Sequence, residues 1–191
     1  MKTLCTMLLL TMSFAVTSAQ NVDTSRAEIA LGYTYIHSNA PPSGCGCFSW
    51  NGGVASASVL LGQKWAVTAE FAGTHANPIG ATAISPTMLT FLAGPKYRLT
   101  HGSHRASPFA DILIGVAQAQ DGYFPNGTAS ASSATAFAMT AGGGLDFSLG
   151  RHLSFRPFKA DYLLTHFPNG VNGRQNNFRI SSGLVFRLGQ R

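Results

Sequence analysis

The sequence predicts an all-β fold, an eight-stranded antiparallel up-and-down transmembrane β-barrel. Three observations predict it. From about residue 26 onward, apolar residues recur with the period of two that marks strands, not the 3.6 of helices. The alternating segments have about the 9–11 residues that a tilted strand needs to cross a bilayer, with some overhang. Their connections alternate between short turns and long loops, the plan of a barrel whose strands run up and down through a membrane.

Residues 1–19 stand apart from this pattern and are expected to be a signal peptide, with residues 20–191 forming the barrel domain. Lys2 supplies a positive end, Leu4–Val16 an apolar stretch, and Thr17-Ser18-Ala19 a small-residue cleavage site before Gln20. The stretch is too short to span a bilayer as a helix, which takes about 20 residues. Cys5 precedes the apolar stretch, which argues against a lipoprotein anchor.

Composition narrows the remainder. Charged residues are 10% of the chain, against roughly 25% in average soluble proteins. That excludes a disordered charged tail. Three cysteines in 191 residues exclude a disulfide-built scaffold. The net charge of +6 comes from thirteen Lys and Arg spread along the whole length, so no nucleic-acid patch is expected.

The expected strands are, in order, Arg26–Ile36, Trp50–Leu61, Lys64–Thr74, Thr87–Leu99, Phe109–Ala119, Ala134–Leu149, Leu153–His166 and Asn177–Leu188. Shorter turns fall at Gly62-Gln63, Thr100–Pro108 and Gly150–His152. Longer loops, rich in Gly, Pro, Asn and Ser, fall at His37–Ser49, His75–Pro86, Gln120–Ser133 and Phe167–Asn176. In the third strand Trp65, Val67, Ala69 and Phe71 share one face, with Ala66, Thr68, Glu70 and Ala72 on the other. The sixth sets Phe137, Met139, Leu145 and Phe147 against Thr140, Gly142, Gly144 and Asp146. The eighth sets Phe178, Ile180, Leu184, Phe186 and Leu188 against Arg179, Ser181, Gly183, Val185 and Arg187. One face is large and apolar, the other small and polar. The small face must line the lumen, because rings of Phe and Trp on every strand would overfill a narrow barrel.

Parity then places Glu28, Glu70, Asp111, Asp146 and Asp161 inside, together with Lys96, Arg98, Lys159, Arg179 and Arg187. Lys or Arg facing lipid at mid-depth would cost about 2–4 kcal/mol each. Inside, opposite charges pair, as buried charges must. Arg156 is expected on the outer face with Phe158, Ala160, Tyr162 and Leu164, at the periplasmic rim with its charge reaching water.

The alternating strands, the turn-and-loop rhythm and the last strand together resemble the small eight-stranded outer-membrane barrels of the OmpA, OmpX and opacity-protein type. The most specific piece is Ser181-Ser182-Gly183-Leu184-Val185-Phe186-Arg187-Leu188. Polar Ser181, Gly183, aromatic Phe186 and apolar Leu188 match the C-terminal signal that the barrel-assembly machinery reads in that family. The chain continues here through Gly189-Gln190-Arg191, where many members stop at a terminal aromatic. The resemblance implies residence in the outer membrane of a Gram-negative bacterium and contact with its lipid. It implies no peptidoglycan-binding domain, since the chain ends at its eighth strand.

Candidate chemistry is sparse. Cys45-Gly46-Cys47 points to a loop disulfide across one residue, a strained and easily reduced ring. Intermolecular pairing, free thiols and half a zinc site near His37 are the alternatives. His37 and Ser38 superficially match a deacylase His-x-Ser-Asn pattern. Being adjacent, they face opposite sides of a strand, whereas a nucleophile and its base need hydrogen-bond reach. Gly142-Gly143-Gly144 is expected to relieve crowding in a curved strand. His101 and His104 are expected to flank one periplasmic turn. No catalytic residue and no cofactor is expected. The expected role is structural or interactive: a closed barrel presenting four surface loops, for adhesion or envelope integrity, to a surface ligand. A narrow passive channel is the second reading, and a lipid-modifying enzyme the third.

Overall fold

The computed structural model describes residues 27–39, 47–78, 84–99, 105–126, 129–169 and 173–189. Eight long strands close into one antiparallel barrel: β1 Ala27–Asn39, β2 Cys47–Leu60, β3 Trp65–Ala76, β4 Thr87–Arg98, β5 Ala106–Gln120, β8 Ala134–Ser148, β9 Leu153–Thr165 and β10 Gln175–Leu188. Each pairs with its neighbour in sequence, and β1 closes on β10 with Ala27 opposite Leu188. The expected eight-stranded up-and-down topology is therefore the observed one. A closed sheet leaves no unpaired edge, which is the condition for strands to stand in hydrocarbon. Among the described residues, no helix is long and apolar enough to cross a membrane.

The strands have 12 to 15 residues, longer than the minimum span, so pairing continues past the apolar belt at both ends. One element was not expected. The loop after β5 carries a hairpin, β6 Phe124–Asn126 with β7 Ala129–Ala131. Its sequence signal was Gly127-Thr128, a two-residue Gly-X connection between paired Asn126 and Ala129. Phe124 is buried and stacks on Phe167 of the next loop at 5.4 Å between ring centroids. The expected signal peptide, Cys45, His101 and His104 lie outside the described residues, as does the side chain of Cys47.

The outer wall is apolar. Leu31, Phe71, Phe91, Ile112, Phe178 and Ile180 are among many large side chains left exposed around the barrel. A continuous exposed surface of this kind marks contact with lipid rather than water.

The parity of β9 differs from expectation. Its register shifts against both neighbours: Ser181 faces Lys159 but Gly183 faces Arg156, and Leu145 faces Phe158 but Phe147 faces Phe155. In each case β9 spends one residue more than its partner, a β-bulge at Pro157–Phe158. Proline lacks the N–H that a regular ladder position would donate. The extra residue turns Arg156 inward, where it is 8% exposed. The expectation that Arg156 lies on the outer face is thus corrected.

The glycines of β8 permit close strand approach. A Cβ on Gly142 would collide with the carbonyl of Ala160 and the carboxylate of Asp161. A Cβ on lipid-facing Gly53 would meet nothing nearer than 3.9 Å. Gly142→Val is therefore expected to destabilise the barrel by about 1–3 kcal/mol, with Gly53→Ala within about 0.5 kcal/mol of the native chain. Urea unfolding in detergent, followed by the mobility difference between folded and unfolded bands, measures both.

Candidate functional site

Among the described residues, most of the charged side chains are gathered in the lumen. It has three layers. Nearest the end where β1 begins, Glu28 accepts from Lys96 Nζ at 3.3 Å and from Arg98 Nη2, with Arg187 Nε at 3.4 Å. Beside it, Asp146 takes Arg156 in a two-pronged pair, Nε to Oδ1 at 2.7 Å and Nη2 to Oδ2 at 3.0 Å. Phe109 is buried between these groups. Lys96 Nζ lies 4.3 Å and the Arg156 guanidinium 4.4 Å from its ring centroid, so the ring's negative face stabilises cations that water does not reach.

The middle layer is a tighter cluster. Lys159 Nζ reaches Glu70 at 2.9 Å, Asp111 at 3.0 Å and Asp161 at 3.5 Å. Arg179, fully buried, reaches Glu70 at 2.6 Å and Asp161 at 2.7 Å. Three carboxylates thus share two cations here. The first layer has the opposite balance, with two carboxylates and four cations. Each layer is charged against the other, which favours both being held in one barrel.

The third layer, toward the long loops, is apolar. Ile36, Trp50, Met88, Leu92, Leu113 and Leu163 are buried together inside the barrel, under Phe124 and Phe167. Trp50 Nε1 donates to Ser38 Oγ at 2.9 Å, which satisfies the indole within the seal. A small cavity lies between the two charged layers, lined by Glu70, Arg156, Lys159 and Ser181 and roofed by Gly32 and Gly183.

All ten charged residues expected inside are found inside, in two groups rather than one. Arg156, Phe109 and the apolar seal are members that sequence reasoning missed. Pro157 was the signal for the first, since it falls mid-strand. The same parity that places Asp111 inward also places Phe109 and Leu113 inward, so the seal was readable in principle. Of the expected assembly signal, Ser181 is buried and donates to Thr34 Oγ1 at 3.0 Å, Gly183 faces Gly32 across β1, and Phe186 and Leu188 point outward. Among the described residues, no group of three or more His, Cys, Asp or Glu could hold a metal ion.

A family model for the outer membrane protein beta-barrel domain matches residues 6–186. The chain belongs to this family. It is an outer-membrane β-barrel, in a membrane whose barrels set their short turns in the periplasm and their long loops outside. No curated protein sequence matches it. Among solved structures, Neisserial surface protein A superposes with a TM-score of 0.61 at 11% identity, covering 87% of this chain and 99% of that one. Ail, the attachment invasion locus protein of Yersinia pestis, gives 0.56 at 16% identity, covering 86% and 99%. OprG of Pseudomonas aeruginosa gives 0.52 at 14%, covering 86% and 96%. These likenesses show the shared fold. Ail has also been solved with the heparin analogue sucrose octasulfate.

The aromatic boundaries fit this placement of the outer-membrane barrel. At the loop end, Tyr33 donates to Asn51 at 2.5 Å and Tyr162 to Asn176 at 2.6 Å. At the turn end, exposed Trp65 packs on Tyr97 at 4.8 Å. Rings with a wet edge suit the two interfaces of a bilayer.

Proposed function

We propose that the protein is a structural and interaction barrel, a closed anchor that holds four loops at the cell surface for adhesion or envelope integrity. The observation that carries this reading is the double seal of the lumen. Ions entering from outside meet buried Leu92, Leu113 and Leu163 before any charge. Ions entering from the periplasm meet carboxylates already neutralised by Lys and Arg. Eight strands leave little room beyond side chains, and here the side chains fill it.

The loops themselves say what kind of ligand suits them. Between the barrel strands at the loop end, the charged residues are Asp121 and Arg174. Apart from Tyr123 and His166, small, amide and apolar residues make up the rest, so recognition there rests on shape and neutral hydrogen bonds, not on a polyanion. An enzymatic role has little support. Ser38 lies in the lumen accepting from Trp50, while His37 is on the opposite face of β1. Ser181, Gly183, Phe186 and Leu188 remain the proposed assembly signal for the barrel-assembly machinery.

Planar-bilayer recording tests the proposal. The purified barrel is expected to be electrically silent. Resolvable single-channel steps that change when Glu70 or Asp146 is neutralised would establish the narrow-channel reading instead.

A further inference from the structure

The distribution of positive charge is one-sided. Of the chain's thirteen Lys and Arg, Arg174 is the one in the connections at the loop end. The periplasmic end, by contrast, carries a cation in each of its three turns. Lys64 lies in the β2–β3 turn, Arg105 in the β4–β5 turn and Arg151 in the β8–β9 turn, while Arg187, at the seam of β10 with β1, turns into the lumen onto Glu28. Arg105 and Arg151 are exposed, and Lys64 is half-buried.

Three backbone hydrogen bonds fix these positions to the neighbouring strands. Arg98 N–H donates to the Lys64 carbonyl, Ser148 N–H to the Arg105 carbonyl and Arg187 N–H to the His152 carbonyl, each at 2.8 Å. Among the described residues no acid pairs with Lys64, Arg105 or Arg151 from the protein side. Glu28 and Asp146, the described acids at this end, are buried in the lumen and paired there. The Lys64 ammonium instead lies 5.8 Å from the Tyr97 ring, beside the Trp65–Tyr97 pair that marks the depth of the headgroups.

We propose that this ring binds the phosphodiester headgroups of anionic phospholipids in the inner leaflet of the outer membrane. The arrangement favours lipid over a soluble polymer. A polymer docks from one side and would be met by a patch, whereas headgroups surround the barrel, and these three cations are spread over its three turns. Each contacting cation near an anionic surface favours association about fivefold.

The test uses the full chain reconstituted in phosphatidylcholine vesicles that carry a minor fraction of spin-labelled phosphatidylglycerol or spin-labelled phosphatidylcholine. The motionally restricted fraction of each label gives their relative association with the barrel. Preference for phosphatidylglycerol of about fivefold is expected. It should fall toward unity in the Lys64→Gln/Arg105→Gln/Arg151→Gln variant and persist in Arg105→Lys/Arg151→Lys. It should also vanish at about 1 M salt, where the Debye length is about 3 Å. Should the triple variant not fold, the salt titration of the native chain decides. Equal association of the two labels, or a preference that survives high salt or the triple substitution, overturns the proposal. Retention of the native chain on insoluble peptidoglycan without lipid preference would assign the ring to the wall polymer.

Discussion

Lys159→Met should lower the unfolding free energy of the barrel by about 3–5 kcal/mol, the loss typical when one member of a buried charge network is removed. The reason is local. Lys159 contacts Glu70, Asp111 and Asp161 at once, and Asp111 has no other cation within ion-pair distance among the described residues. Methionine keeps most of the side chain's volume, so the loss measures charge rather than a cavity. Adding Asp111→Asn to that variant should recover part of the stability, because it removes the carboxylate left unpaired. Urea titration in detergent micelles reads both. A single substitution that costs under about 1 kcal/mol, or a second one that makes matters worse, would mean that the middle cluster does not hold the lumen together.

Leu113→Ala should cost about 2–5 kcal/mol, the range for truncating a fully buried leucine whose surroundings collapse only in part. Leu113 is 0% exposed and belongs to the apolar seal with Leu92 and Leu163. The same unfolding assay applies. Conductance is expected to stay silent in Leu113→Ala and in its double variant with Leu163→Ala, because the charged layers still block the path beneath. Ion flow in the double variant would show that the seal alone kept the barrel shut.

Strand number, order and the inside-out arrangement were legible because each rests on a period of two, which neighbouring residues confirm many times over. Glu28, Glu70, Asp111, Asp146 and Asp161 were legible for the same reason, each sitting opposite large lipid-facing residues in its strand. What parity alone does not contain is a change of phase. A bulge adds one residue, and every position beyond it reverses, so Arg156 was assigned to the wrong face although Lys159 and Asp161 were not. Division of the lumen into layers was not drawn from sequence because depth depends on which residues lie opposite across the sheet. Thr140, for instance, lies level with Leu113 on one side and Leu163 on the other. Such levels follow from register, which only the folded sheet supplies.

The bulge at Pro157 has a consequence for the way β9 is written. Its first residues, Leu153 to Arg156, are read in one frame and those from Phe158 to Thr165 in the other, with proline as the point of phase change. Losing one residue there would put the whole strand in a single frame. Either Arg156 with Ser154, or Lys159 with Asp161, would then be delivered to hydrocarbon, at about 2–4 kcal/mol for each basic group at mid-depth. Substitutions along β9 are absorbed one position at a time, but its length is counted, and an odd change in that count has no conservative form.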